Sequence, residues 1–181
     1  MQQIPNADLN EFLSGNSKTK AAFVKKIGKS FQEIGFLALK GHFLEDKLRD
    51  ALYKEINSFF KLSNKIKSSY EIKGGGGQRG YTGFGKEHAA GRSIGDLKEF
   101  WHFGQYNEKG ETNLNYPKNI IIDEFPEFNT VGLETYKALE KTGLYVLRAI
   151  ALFLNLEENH FDKYVVDGNS ILRAIHYPPI K

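Results

Sequence analysis

Cysteine is absent from all 181 residues, which removes disulfide scaffolds, thiolate metal sites and cysteine nucleophiles together. Any metal held by this chain must rest on His, Asp or Glu. A strong charge of one sign is lacking too. The 25 Lys and Arg against 22 Asp and Glu leave a formal +3, too weak a field to nominate nucleic acid as a partner. Long apolar runs are also missing. Asp8, Glu11, Lys18, Lys20, Lys25 and Lys26 interrupt every stretch near the start that could act as a signal peptide, and nothing further on reaches membrane-spanning length. These features predict a soluble cytoplasmic protein without a membrane partner. Neither a Gly-x-Ser-x-Gly elbow nor a Walker-type loop occurs, so acyl transfer and nucleotide hydrolysis have no starting point.

What is present is enough apolar surface for one sizeable core: 40% of the residues are apolar or aromatic, and the length makes a single domain the default. Ile4 to Leu9 opens as an extended or turn-like segment, because Pro5 biases the residue before it away from helix. Ala22, Phe23, Ile27, Phe31 and Ile34 recur at three to four residues and predict a helix from about Lys18 to Ile34, which Gly35 ends. Phe36 to Leu39 is read as a short buried strand between Gly35 and Gly41. Leu44, Leu48, Leu52, Ile56, Phe59 and Phe60 form the stripe of a second helix ending near Leu62 and Ser63.

Residues 64–96 are read as loop, and Gly74 to Gly95 as a mobile loop near the mouth of a site, since glycine leaves little side-chain surface to anchor it. Leu97 to Phe103 is an extended segment carrying the one tryptophan, Trp101. A long helix is predicted from about Pro126 to Leu156, packed across a sheet, and Ser170 to Tyr177 is strand-like until Pro178 and Pro179 end it.

Few local patterns carry chemistry. Gly75, Gly77 and Gly80 spell Gly-x-Gly-x-x-Gly, but no amphipathic helix starts at Gly80, so the pattern is read as plain loop. His160 and Asp162 spell His-x-Asp at a helix end, where residues two apart do not share a face. Only His176 lies downstream as a second imidazole, so no metal ligand is assigned and iron(II) is not expected to bind this chain tightly. Asp96, Lys98 and Glu99 beside Phe100 and Trp101 are read as a charged loop that packs an aromatic edge onto the core.

Taken in order, a set of landmarks resembles the N-terminal region of the isopenicillin N synthase-like non-haem iron(II), 2-oxoglutarate-dependent dioxygenases. The landmarks are Ile4, Pro5, Asp8 and Leu9; Gly35, Phe36, Leu39, Gly41 and His42; Phe59, Phe60, Leu62 and Ser63; Arg79-Gly80-Tyr81; Asp96-Leu97-Lys98-Glu99-Phe100; and Arg173, Tyr177, Pro178 and Pro179. Together they cover essentially the whole chain.

The resemblance implies an α+β fold, the helix-rich N-terminal portion of a double-stranded β-helix, or jelly roll. Residues 1–181 would hold that region and the first strands, with the rest of the iron-binding barrel beyond residue 181. It implies Fe(II) and 2-oxoglutarate as cofactors, molecular oxygen and a small organic substrate as partners, and hydroxylation, desaturation or cyclisation as the outcome. In the family the iron and 2-oxoglutarate ligands follow the Tyr-Pro-Pro strand, so this chain alone is expected to be inactive and its catalytic residues are unassigned. Tyr177 matches the tyrosine that contacts 2-oxoglutarate or substrate. Strand alternation then sets Arg173 and Ile175 on the same side, as substrate-pocket residues, with His176 facing away. Ile175 stands where some members carry asparagine. The rival reading is a non-catalytic binding or scaffold module that keeps only the family's N-terminal half.

Overall fold

The computed structural model describes residues 3–88, 91, 95–105, 116–165 and 168–179. They form two compact units, one of Met1–Glu45 with Lys137–Gly168, the other of Asp46–Tyr136 with Asn169–Lys181.

In the first unit, strand β1 (Asn6–Asp8) leads directly into helix α1 (Leu9–Leu13), followed by α2 (Ser17–Glu33) and β2 (Ala38–Lys40). The extended start is there, but α1 is an element that the periodicity did not announce. It forms because Asp8 caps it, accepting from the Asn10 N–H at 3.0 Å, and because Leu9 and Phe12 are both buried. Asn16 caps α2 in the same way through the Lys18 and Thr19 N–H groups. Leu9, Phe12, Phe23, Ile27 and Ala149 make the core of this unit, the last from the long helix α5 (Pro126–Phe153). Gly28 on α2 allows that helix to come close, since a Cβ there would fall 2.1 Å from the Phe153 ring.

The strand expected at Phe36 to Leu39 is displaced and is not buried. It runs Ala38–Lys40, pairs only with β1 in a two-stranded parallel ribbon, and leaves Phe36 54% exposed. A ribbon this narrow has one face to bury, and only Leu39 among its residues joins the core.

The second unit contains α3 (Asp46–Phe60), α4 (Asn64–Ser69), β3 (Gly80–Thr82), β4 (Glu99–Gly104), β5 (Ile171–His176) and the beginning of α5. The loop reading of residues 64–96 is therefore corrected at two places. Ser63 caps α4 by accepting from the Ile66 N–H, and the Arg79-Gly80-Tyr81 stretch enters a sheet. Gly80 has φ +71°, and a Cβ on it would lie 2.6 Å from the Tyr70 carbonyl, so the turn into β3 requires glycine. Of the span 74–95 expected to be mobile, residues 89–90 and 92–94 lie outside the described residues.

The sheet order is β3-β4-β5, antiparallel throughout, with Tyr81 opposite Trp101, Trp101 opposite Ala174, and His102 opposite Arg173. Being central, β4 is buried on both faces. One face carries Trp101 and Phe103 onto Phe59 and Phe128: the Phe59–Trp101 rings stand 5.0 Å apart edge-on, Trp101–Phe128 5.1 Å, and Phe103–Phe128 5.2 Å. The beginning of the long helix thus packs across the sheet. Among the described residues no helix is long and apolar enough to cross a membrane.

Phe59 is fully buried and touches Phe60, Tyr70, Tyr81, Trp101 and Phe128. Phe59→Ala is expected to destabilise the fold by about 3–5 kcal/mol and to red-shift the Trp101 fluorescence, read by urea denaturation of the two proteins side by side.

Candidate functional site

Residues 99, 101 and 103 of β4 face the helices, and residues 100, 102 and 104 face the other way. Ion-paired side chains occupy both faces. On the helix side Glu99 is 1% exposed. Its Oε2 accepts from Lys67 Nζ and from the Tyr81 hydroxyl, both at 2.5 Å, and its Oε1 lies 2.8 Å from His176 Nδ1. Lys67 Nζ also donates to the Phe60 carbonyl at 3.2 Å. Burial pushes the Glu99 carboxyl up, but the hydrogen bonds from Lys67, Tyr81 and His176 outweigh it and hold the group below the usual glutamate range. Tyr81 is driven upward by burial and by its bond to Glu99. The reading of Glu99 as part of a charged loop is therefore corrected: it is the buried junction of α4, β3, β4 and β5. Alternation from Trp101 would have signalled this, since residues 99 and 101 share a face.

On the opposite face Arg173 Nε donates to His102 Nε2 at 2.5 Å. Because a guanidinium can only donate, His102 Nε2 is the bare nitrogen. Nδ1 therefore carries the proton and donates to the Gly77 carbonyl at 2.5 Å. A neutral imidazole follows, and burial pushes His102 down from its ordinary 6.5 to about 4, with Arg173 reinforcing burial against the Gly77 bond. The Arg173 guanidinium also lies 4.3 Å over the Phe100 ring. Its Nη1 and Nη2 reach Glu87 Oε2 and Oε1, each at 3.3 Å. Glu87 is held more closely by Lys98, at 2.6 Å, and Lys98 also binds Asp96 at 2.9 Å. The Lys98 hydrogen bond, opposed by burial and helped by Arg173, keeps the Glu87 carboxyl below its ordinary value.

Beside this network opens a cleft of ≈ 370 Å³ bordered by Gly77, Thr82, Glu87 and Phe100. Arg79 is buried on the same sheet. Its Nη1 donates to the Gln78 carbonyl at 2.7 Å and its Nη2 to Asn169 Oδ1 at 3.0 Å, and its flat group packs on Gly104, where a Cβ would fall 1.9 Å from Cζ. Burial lowers the Arg79 pKa.

Of the residues singled out from the sequence, Arg173 and Ile175 share the face of Phe100 and His102, and Ile175 is 43% exposed. Tyr177 lies just past β5 and is 66% exposed. His176 turns to the helix side and stacks on Phe60 at 5.2 Å. His160 and Asp162 do not form a ligand pair, because both Asp162 oxygens are taken by Arg148, at 3.2 and 2.6 Å. That bond holds the Asp162 carboxyl low. Among the described residues no three His, Asp or Glu side chains are grouped to hold a metal ion, so the described residues do not fit the iron of the resembled family. His102 and Glu87 carried no sequence signal: one is a lone histidine, and the other lies among glycines whose path is set by tertiary contacts.

The chain is a member of the family described as non-haem dioxygenase in morphine synthesis N-terminal, which matches residues 4–124. It is similar to a 2OG-Fe(II) oxygenase family protein from Caulobacter crescentus, with 36% identity and a TM-score of 0.84 over 99% of this chain and 58% of that one. It is also similar to a full-length Neurospora crassa protein solved in complex with alpha-KG, with 28% identity and a TM-score of 0.78 over 97% of this chain and 51% of that one. A 2-oxoglutarate-Fe(II) type oxidoreductase of Aspergillus fumigatus is 27% identical over 98% of this chain and 55% of its own length. The chain spans about half the length of the curated relatives it matches.

Glu99→Gln should destabilise the chain by about 3–5 kcal/mol in urea denaturation, because it strands the buried Lys67 charge. Adding Lys67→Met should recover much of that loss by removing the charge. His102 has a folded pKa below its unfolded one, so its contribution is fully present above pH 6.5 and is lost as pH falls from 6.5 toward 4. Over that window the loss is on the order of 3 kcal/mol. Denaturation midpoints measured across it should fall more steeply for the native chain than for His102→Gln.

Proposed function

We propose that this chain supplies the first part of an iron(II)- and 2-oxoglutarate-dependent oxygenase that acts with molecular oxygen on a small organic molecule, by hydroxylation, desaturation or cyclisation. In this reading residues 1–181 carry the family's N-terminal region and the opening strands of its jelly-roll barrel. The observation that carries it is the sheet β3-β4-β5. One face packs on helices, and the other carries Arg173, Ile175 and the buried, neutral His102, with a cleft nearby that borders their neighbours Phe100 and Glu87. Family membership supports the same reading.

Within it Tyr177 contacts 2-oxoglutarate, and Arg173 and Ile175 line the substrate pocket. Alternation along β5 is compatible with this, since His176 is committed to Glu99 on the sealed side. The described residues offer no iron ligand set, so no step of the reaction is assigned to them. Their part is to bind, to orient and to exclude water from one side of the sheet.

The test uses the longer protein that contains this chain, assayed for oxygen-dependent decarboxylation of 2-oxoglutarate. Tyr177→Phe is expected to raise the 2-oxoglutarate requirement several-fold, as for loss of one hydrogen bond of about 1 kcal/mol, with little change at saturation. An unchanged requirement removes Tyr177 from the co-substrate contact. Absence of decarboxylation in the native protein favours a binding module instead.

A further inference from the structure

We propose that Arg173 is a carboxylate anchor and that Glu87 is its internal placeholder, displaced when a small organic acid binds. The proposal rests on the oxygenase reading only for which face of the sheet is taken as the pocket. Its chemistry comes from how Arg173 is held.

A guanidinium has five N–H donors in a rigid fork. Here the Nε–H goes to His102, and one N–H each from Nη1 and Nη2 goes to Glu87, so among the described residues three are used. The side chain is fixed by groups that carry no charge: His102, whose second nitrogen is tied to the Gly77 carbonyl, and the Phe100 ring beneath it. Both are buried. A protonated imidazole would donate rather than accept, so the neutral state of His102 is what lets it orient the fork. Arg173 therefore keeps its place whether or not its carboxylate partner stays.

That partner is bound loosely. The two Arg173–Glu87 contacts are 3.3 Å, against roughly 2.7–2.9 Å for a strong bond between charged groups. Glu87 is better held by Lys98 at 2.6 Å. If Glu87 leaves Arg173 it remains paired with Lys98, and no carboxylate is stranded. Exchange of Glu87 for an incoming carboxylate leaves the charge balance at Arg173 unchanged. A purely structural surface pair contributes only about 0–1 kcal/mol, so little stability opposes the exchange.

The surroundings suit a ligand. The Arg173 and Glu87 side chains are about one-third exposed. Arg173 does not itself line the ≈ 370 Å³ cleft, but its two neighbours Glu87 and Phe100 do, and that volume is within the rough 300–1,000 Å³ range of small-molecule sites. The carboxylate could belong to the substrate or to 2-oxoglutarate, and the two sources are separable by experiment.

The experiment follows the Arg173 Nε–H resonance of this chain labelled with ¹⁵N-arginine, assigned by its loss in Arg173→Gln. Sodium phenylacetate, disodium 2-oxoglutarate and sodium chloride are titrated at matched ionic strength. A saturable shift with a carboxylate and not with chloride is expected, several-fold tighter in Glu87→Gln, where the placeholder has lost its charge. Tighter binding of phenylacetate assigns the anchor to the substrate, and tighter binding of 2-oxoglutarate assigns it to the co-substrate. Equal response to chloride, or no tightening in Glu87→Gln, overturns the proposal. The readout needs no turnover, so failure here leaves the decarboxylation test standing. Binding here without decarboxylation there would retire the oxygenase reading and keep the anchor.

Discussion

The second unit turns on one buried carboxylate. Glu99 joins a helix through Lys67, an edge strand through Tyr81 and the far strand through His176. A charge in that position is costly unless it is paired and every lone pair is used. The aromatic layer above it, Phe59, Trp101, Phe103 and Phe128, supplies area but little direction. The carboxylate supplies direction, because its three partners must arrive from fixed angles. His176 is held on the helix side by this junction, which leaves its strand neighbour Ile175 on the other side, opposite Phe100.

The two faces of β4 follow opposite rules. On the helix face Glu99 is enclosed and its hydrogen bonds are 2.5 to 2.8 Å long. On the open face, His102 and Phe100 around Arg173 are neutral, and its charged partner among the described residues, Glu87, sits at long range and is shared with Lys98. The first arrangement holds a fold together, and the second leaves a cation oriented and partly available. The strand alternation that puts Glu99 and His102 on different sides makes this division possible within one six-residue strand.

Much of the architecture was legible in the residues. The helical stripes of α2, α3 and α5 stand out because their apolar spacing matches the helical period, and the strand before Pro178 because proline ends a ladder. The ordered landmarks from Ile4 to Pro179 pointed to the family that matches residues 4–124. Short elements were harder to read. The helix α1 depends on a single Asp8 cap and α4 on Ser63, too few residues for periodicity to register. The strand β3 sits among glycines that read as loop, and it is held by register with β4 rather than by its own propensity.

By itself the sequence determined the order of the long elements and that Arg173 and Ile175 share one side of β5, because periodicity and alternation are local properties of the chain; the class of fold came from the resemblance of its ordered landmarks to a known family. Only the tertiary structure decided that Glu99 is a buried junction, that His102 is a neutral acceptor for Arg173, and that Asp162 is taken by Arg148. Each of those depends on partners 14 to 77 residues away in the chain. The state of an ionisable group is set by what the fold brings within hydrogen-bond reach, which no local pattern encodes.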